Sequence, residues 1–182
     1  MGQVRLPPPV LLVVALFSRY MQGLEWSIER LEKAFGAIIY ASFLFDFSQT
    51  RYYEPAMGPG LKKMFVVFDE LVALDCLADV KHITIKLEAE LAGCHAFPEV
   101  RPVNLDPGIL TLGKFMLATT KDQSHRIYLR DGILAEATLR FQAGEFQPWP
   151  WTYADYRQPL VRGFFREARD IYRKKLKLLT AR

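Results

Sequence analysis

Cysteine, histidine and long apolar runs are all scarce in this 182-residue chain, and each scarcity excludes something. There are only two cysteines, Cys76 and Cys94. They fall at opposite ends of one expected helix, about 27 Å apart at 1.5 Å rise per residue, far beyond the reach of a disulfide. A reduced, cytosolic setting is the expectation. With three histidines and no His/Cys cluster, the spacing argues against a tightly bound transition metal, and no cofactor is indicated. The longest apolar run, Val10–Phe17, is far short of the ~20 residues a membrane helix needs. Pro7, Pro8 and Pro9 precede it and no small-residue cleavage site follows, so it reads better as a buried strand than as a signal-peptide core. No membrane partner is expected. Repeats, low-complexity stretches and interdomain linkers are also missing, which predicts a single domain over 1–182.

What is present is ordinary globular composition: 51% hydrophobic, 24% charged and 13% aromatic residues. Val10–Phe17 reads as a central strand. Leu24, Ile28, Leu31 and Phe35 form a helical stripe stopped by Gly36. Ala37–Phe47 and Lys62–Asp69 read as strands. Asp75 is placed to cap a second helix whose Leu77, Val80, Thr84, Leu87 and Leu91 share a face, with His82 on the opposite, solvated side. Arg101–Leu105 is a short strand, and Asp106-Pro107 has the look of an N-cap with proline at N1 for a third helix, Ile109–Thr119. The apolar density of that segment also permits a strand. A terminal helix begins near Tyr156. The fold class is therefore α+β: a ferredoxin-like βαββαβ sheet with helices packed on it, extended by a helix, a β-hairpin and a C-terminal helix.

The segment from Asn104 to Arg140 concentrates polar and ionisable residues that a plain core would not need. Asp131-Gly132 between apolar-rich runs is a signal for a two-residue type I′ hairpin. With Arg130 facing Ile133, a regular register pairs Ile127 with Glu136 and His125 with Thr138. His125, Glu136 and Arg140 then converge on one sheet face, opposite the face that carries Arg126. Such a trio suits anion binding or proton transfer, with His125 as acid or base and Arg140 or Lys121 as the anion clamp. Asp46, Lys62, Asn104, Asp106 and Lys121 are expected nearby as ligand-binding residues. A solvated, salt-bridged hairpin face explains the same pattern without a ligand.

Several motif fragments fail on spacing. His82-Ile83-Thr84 resembles half of a two-histidine phosphoesterase signature, but no second copy exists. The segment Met57–Lys63 lacks the G-x-x-x-x-G-K-[ST] spacing of a phosphate loop, and Thr120-Lys121-Asp122 puts the aspartate one residue too early for guanine recognition. Turns account for both. The terminal segment from Arg157 carries nine basic residues against Glu167 and Asp170, making it +7 and leaving the rest of the +4 chain at −3. Val161, Phe164, Phe165, Ala168, Ile171, Tyr172 and Leu176 form its apolar stripe. Arg162, Arg166, Arg169, Arg173 and Lys177 form a basic stripe beside it, which could attract RNA or an acidic protein.

Taken together, the Pro-rich lead into Val10–Phe17, Phe45-Asp46-Phe47 before Tyr52-Tyr53-Glu54, Asn104–Gly108, Thr119–Asp122 with His125–Leu129, and Trp151–Tyr153 with Asp155–Arg157 resemble the bacterial domain-of-unknown-function family 4416 over nearly the whole chain. The resemblance implies a bacterial cytosolic protein. Members of that family sometimes carry a GTP-binding label, for which the spacings above supply none of the usual elements. Two functions are expected to compete. One is binding of a phosphate-bearing small molecule or nucleotide at the hairpin face, with turnover as an extension, so enzyme and binding domain both stay open. The other is a non-catalytic adaptor for RNA or acidic protein using the terminal helix. The sequence does not specify an oligomeric state.

Overall fold

The computed structural model describes residues 2–4 and 6–181. A nine-stranded, wholly antiparallel sheet forms the frame. In chain order the elements are β1 (Val10–Ser18), α1 (Met21–Phe35), β2 (Ile38–Ala41), β3 (Phe45–Asp46), α2 (Glu54–Met57), β4 (Lys62–Val72), α3 (Leu77–Gly93), β5 (Val103–Leu110), β6 (Lys114–Thr119), β7 (Ile127–Arg130), β8 (Ile133–Gln142), β9 (Glu145–Pro148) and α4 (Pro159–Thr180). The strand order β2-β4-β1-β5 is that of the split βαβ plan, with β4 inserted between the two strands that α1 connects. The sheet then continues through β6, β8 and β7.

β1 is buried on both faces, which is why it reads as a continuous apolar run rather than an alternating one. Leu12, Val14 and Leu16 pack with Leu24 and Leu31 of α1 and with Val80 and Leu91 of α3. Leu11, Val13 and Ala15 pack on the other side with Phe65, Phe115 and α4, whose Val161, Phe164, Phe165, Ala168 and Tyr172 are buried as its stripe predicts. Helices therefore cover both faces of the sheet. Gly36 ends α1 with φ 85°, the backbone freedom that the helix stop requires. No described helix is long and apolar enough to cross a membrane.

Several expectations are corrected. The region Ala37–Phe47 is two short strands, β2 and β3: Ser42 still donates its N–H to the Phe65 carbonyl, but the Phe65 N–H donates to Ser42 Oγ, and the ladder breaks there. Asp75 does not cap α3; Cys76 stands at that position without a side-chain cap, and Cys94 closes the other end, both thiols free. His82 is half-buried rather than solvated, its Nε2 3.1 Å from the Asp131 carbonyl oxygen in the hairpin turn. The terminal helix starts three residues later than expected, at Pro159, which fixes the first turn.

The third helix does not exist. Ile109–Thr119 is the end of β5, a turn, and β6, and Asp106 and Pro107 lie inside β5 rather than at a helix start. The reason is Gly108. A Cβ there would sit 2.4 Å from the Phe115 ring and 2.6 Å from the Met116 carbonyl oxygen, so glycine lets the two strands close together at this point.

This junction shapes everything that follows. β5 and β6 pair only from Gly108↔Leu117 to Leu110↔Phe115. The ladder stops at Pro107, which has no N–H to donate. From there β5 stays with β1 while β6 stays with β8, and the sheet forks.

Candidate functional site

A cavity of about 440 Å³ lies in the fork. Its walls come from β5 (Asn104, Asp106), β6 (Leu117–Thr119), the 120–126 loop, β8 (Glu136), the 153–156 loop, the ends of β1 and β4 (Phe17, Lys63), and the Phe47–Tyr53 segment. Lys81 reaches in from α3. Among the described residues, five lining cations (Lys63, Lys81, Arg101, Lys121, Arg126) face three carboxylates (Asp106, Glu136, Asp155).

The charges interlock. Lys81 is buried, and its Nζ donates to Asp106 Oδ1 and to the Leu105 carbonyl, both at 3.0 Å. Asn104 Nδ2 donates to the other Asp106 oxygen at 2.7 Å, and Arg101 donates both to the Asn104 side-chain oxygen and to Glu88. Burial pushes the Asp106 pKa up, but Lys81 and Lys63 outweigh it and hold the carboxyl below its ordinary value. Glu88 shifts the other way: burial raises its pKa despite Arg101 and Lys81. Lys63 is enclosed by the faces of Phe17, Phe47, Phe65 and Tyr156 at 4.8–5.3 Å and donates to Asp155 Oδ2 at 2.6 Å.

On the third wall, Arg126 Nε donates to Glu136 Oε2 at 2.9 Å, and its other nitrogens reach the Lys121 carbonyl and the Tyr153 hydroxyl. Burial, followed by the nearby Glu136 charge, pushes the Tyr153 pKa up to about 12, so that phenol stays protonated at neutral pH. Lys121 differs from the other cations. Its Nζ lies 4.1 Å from the Tyr52 ring centre and donates to the Tyr52 hydroxyl at 2.9 Å, with no carboxylate partner among the described residues. The hydrogen bond from Lys121, and then the charges of Lys121 and Arg101, lower the Tyr52 pKa. The mouth of the cavity is therefore a positive rim.

Of the residues expected to form a site, Asn104, Asp106, Lys121 and Glu136 line the cavity. His125 and Glu136 do meet, at 3.2 Å, but not in the register expected. A bulge between Tyr128 and Arg130 pairs Ile127 with Ala135 instead of Glu136. That shift puts Arg126, expected on the opposite face, against Glu136 in the position assigned to Arg140. The turn itself is as expected, with positive φ at both Asp131 and Gly132. His125 stacks on Trp151 at 5.2 Å and is not part of the cavity lining, though its Nε2 meets Glu136, which is.

Arg140 does not join them. It lies over Trp149, which stacks on Trp151, so two indole rings separate it from His125. β9, formed by an Ala143-Gly144 turn, brings those indoles in. Asp46 and Lys62 pair with each other across β3 and β4, outside the cavity.

Lys63, Lys81, Arg101, Arg126, Asp155 and the tyrosines were not anticipated. Two of them left a trace in the sequence. Lys81 and Glu88 share the helical face of Leu77, Thr84 and Leu91, and Lys63 alternates with Leu61, Phe65 and Val67 on a buried strand face. Charge in an apolar stripe is the signal, since buried charge persists only when paired. Among the described residues no group of three or more His, Cys, Asp or Glu could hold a metal ion.

Over residues 8–172 the chain matches the family described as a domain of unknown function, DUF4416, and it belongs to that family. No curated protein matches it.

Proposed function

We propose that this DUF4416 protein binds a phosphate-bearing small molecule in the fork cavity, with Lys121 and Arg101 as the anion clamp at its mouth. The observation that carries the reading is the excess of positive charge on the lining, with Lys121 held there free of any described carboxylate. Enclosed cations focus potential toward an anionic ligand, and a site of this volume suits a small molecule. Nucleotides belong to the class to be tested. A bacterial, cytosolic setting is part of the reading; the two free thiols favour a reducing compartment.

Binding rather than turnover is the core of it, because His125 stands behind Glu136 instead of in the cavity. Docking of RNA or an acidic protein on α4 has less support. Arg169 donates to the Leu112 carbonyl and lies over Phe141, Arg173 pairs with Asp170, and Lys175 with Asp69.

Thermal unfolding with a panel of phosphate esters and nucleotides tests the proposal. A ligand at a hundred times its Kd stabilises by about 2.7 kcal/mol, or roughly 5–10 °C for a chain of this size. That shift should appear in the wild type and shrink or vanish in Lys121→Ala. If no phosphate-bearing compound raises the Tm, the proposal fails.

A further inference from the structure

The mouth and the floor of the cavity differ in chemistry, and the floor holds a hydroxyl with no partner. Tyr156 is only 1% exposed and lines the cavity, yet its hydroxyl makes no hydrogen bond. Four buried side-chain atoms lack a partner among the described residues, and Tyr156 alone belongs to the lining of this cavity. Buried hydroxyls are normally satisfied, so an orphan beside a cavity marks a place for a ligand atom. Burial, then Asp155, Asp106, Tyr153 and Glu136, raise its pKa, which keeps the proton on and leaves the group able both to donate and to accept.

Its neighbours restrict what can lie there. A second anion would face Asp155 and Asp106, and a cation would face Lys63 and Lys81. An aromatic base needs open ring faces to stack on. Here the rings of Phe17, Phe47, Phe65 and Tyr156 already face the Lys63 ammonium, and Tyr156 also stacks on Phe115 and Phe165. A hydroxyl-bearing carbon chain meets none of these objections. A ligand hydroxyl there can accept from Lys63, Lys81 or Tyr156 and donate to the free Oδ1 of Asp155 or to a remaining lone pair on Asp106, whose two oxygens already accept from Lys81 and Asn104, so neighbouring hydroxyls match the alternation of charges along the floor.

We propose that the ligand is a phosphorylated polyol of the sugar-phosphate class, with its phosphate on Lys121 and Arg101 and its hydroxyls on Tyr156, Asp155 and Asp106. This rests on the anion-binding reading above and adds the chemistry of the rest of the ligand. Phe17, Tyr53 and Tyr52 line the way from floor to mouth, packed in succession at 4.9 and 5.1 Å. A cavity of about 440 Å³ holds far more than one phosphate ion.

Calorimetric titration of the whole chain with inorganic phosphate, glycerol 3-phosphate, ribose 5-phosphate, glucose 6-phosphate and AMP tests it, in wild type and Tyr156→Phe. The best sugar or polyol phosphate should bind at least tenfold tighter than inorganic phosphate. Tyr156→Phe should weaken that ligand about five- to tenfold, the worth of one hydrogen bond, and leave inorganic phosphate unchanged. Because the substitution removes an unpaired hydroxyl, the Tm of the free protein should hold or rise; a clear fall would show that the hydroxyl has a partner and overturn the proposal. Inorganic phosphate binding as tightly as every ester, an unaffected Tyr156→Phe, or AMP binding tighter than ribose 5-phosphate would each overturn the polyol assignment and leave the anion site standing. If the wild type binds none of the probes, both readings fall.

Discussion

Asp155 Oδ2 accepts a hydrogen bond from Lys63 Nζ at 2.6 Å inside a shell of four aromatic rings, and the two side chains are 3% and 4% exposed. The pair joins the start of β4 to the loop before α4, so it links the sheet to the helix covering one face. Removing one partner leaves an uncompensated buried charge, which costs about 3–5 kcal/mol, whereas replacing both by apolar groups is often close to neutral. Asp155→Ala and Lys63→Met should therefore each lower stability by that order, and the double variant Lys63→Met/Asp155→Leu should recover most of the loss. Urea unfolding at pH 7 measures all three. A double variant no better than either single one would show that the pair is not a coupled unit.

Gly108 makes a second prediction, about the fork itself. The atoms nearest an added Cβ include the Met116 carbonyl oxygen at 2.6 Å, and backbone cannot swing aside as a flexible side chain can. Gly108→Ala should cost about 1–3 kcal/mol, the usual range for overpacking a filled interior, because β5 and β6 must move apart. Gly113→Ala, with nothing within 4 Å of its added Cβ, is the control and should stay within about 0.5 kcal/mol. Equal stabilities for the two would mean that the strands do not meet as closely as Gly108 implies.

The parts legible in the sequence were those where one local signal sufficed. Val10–Phe17 could hardly be other than a strand buried on both faces, the stripe of Leu24, Ile28, Leu31 and Phe35 fixed α1, and Asp131-Gly132 fixed its turn. The failures came where local chemistry had two uses. Asp106-Pro107 is a good helix start, but Pro107 serves instead to end a ladder, and only the packing of Gly108 on Phe115 decides between them. The one-residue bulge near Leu129 leaves no mark in composition, yet it replaces Arg140 by Arg126 beside Glu136. Asn104, Asp106 and Lys121 were found because they cluster in sequence. Lys63, Asp155 and Arg101 reach the cavity from distant segments, and a single sequence does not show that convergence.

The last prediction concerns pH and turns on Asp106. Its folded-state pKa lies below the unfolded value of about 3.9, with Lys81 and then Lys63 as the opposing charges that hold it down against burial. The sign follows from linkage: the unfolded chain binds the proton more tightly, so the stability Asp106 contributes is fully present above the unfolded pKa and is lost as pH falls through the folded one. Asp106→Asn removes that contribution and leaves the buried Lys81 without its carboxylate. The variant should be less stable than wild type at pH 7, by about 1–2 kcal/mol, the low range for a hydrogen bond to a charged group, since the Asp106 side chain is 27% exposed. The gap should close as the pH is lowered from 5 toward 2, because wild type loses what the variant never had. Glu88, whose pKa burial raises, pulls in the opposite direction in both proteins; the Asp106 charge is the smallest contributor to that shift, so most of it cancels in the difference. Urea midpoints across that pH range read the result, and two curves that run parallel down to pH 2 would show that Asp106 is not held ionised by Lys81 in the fold.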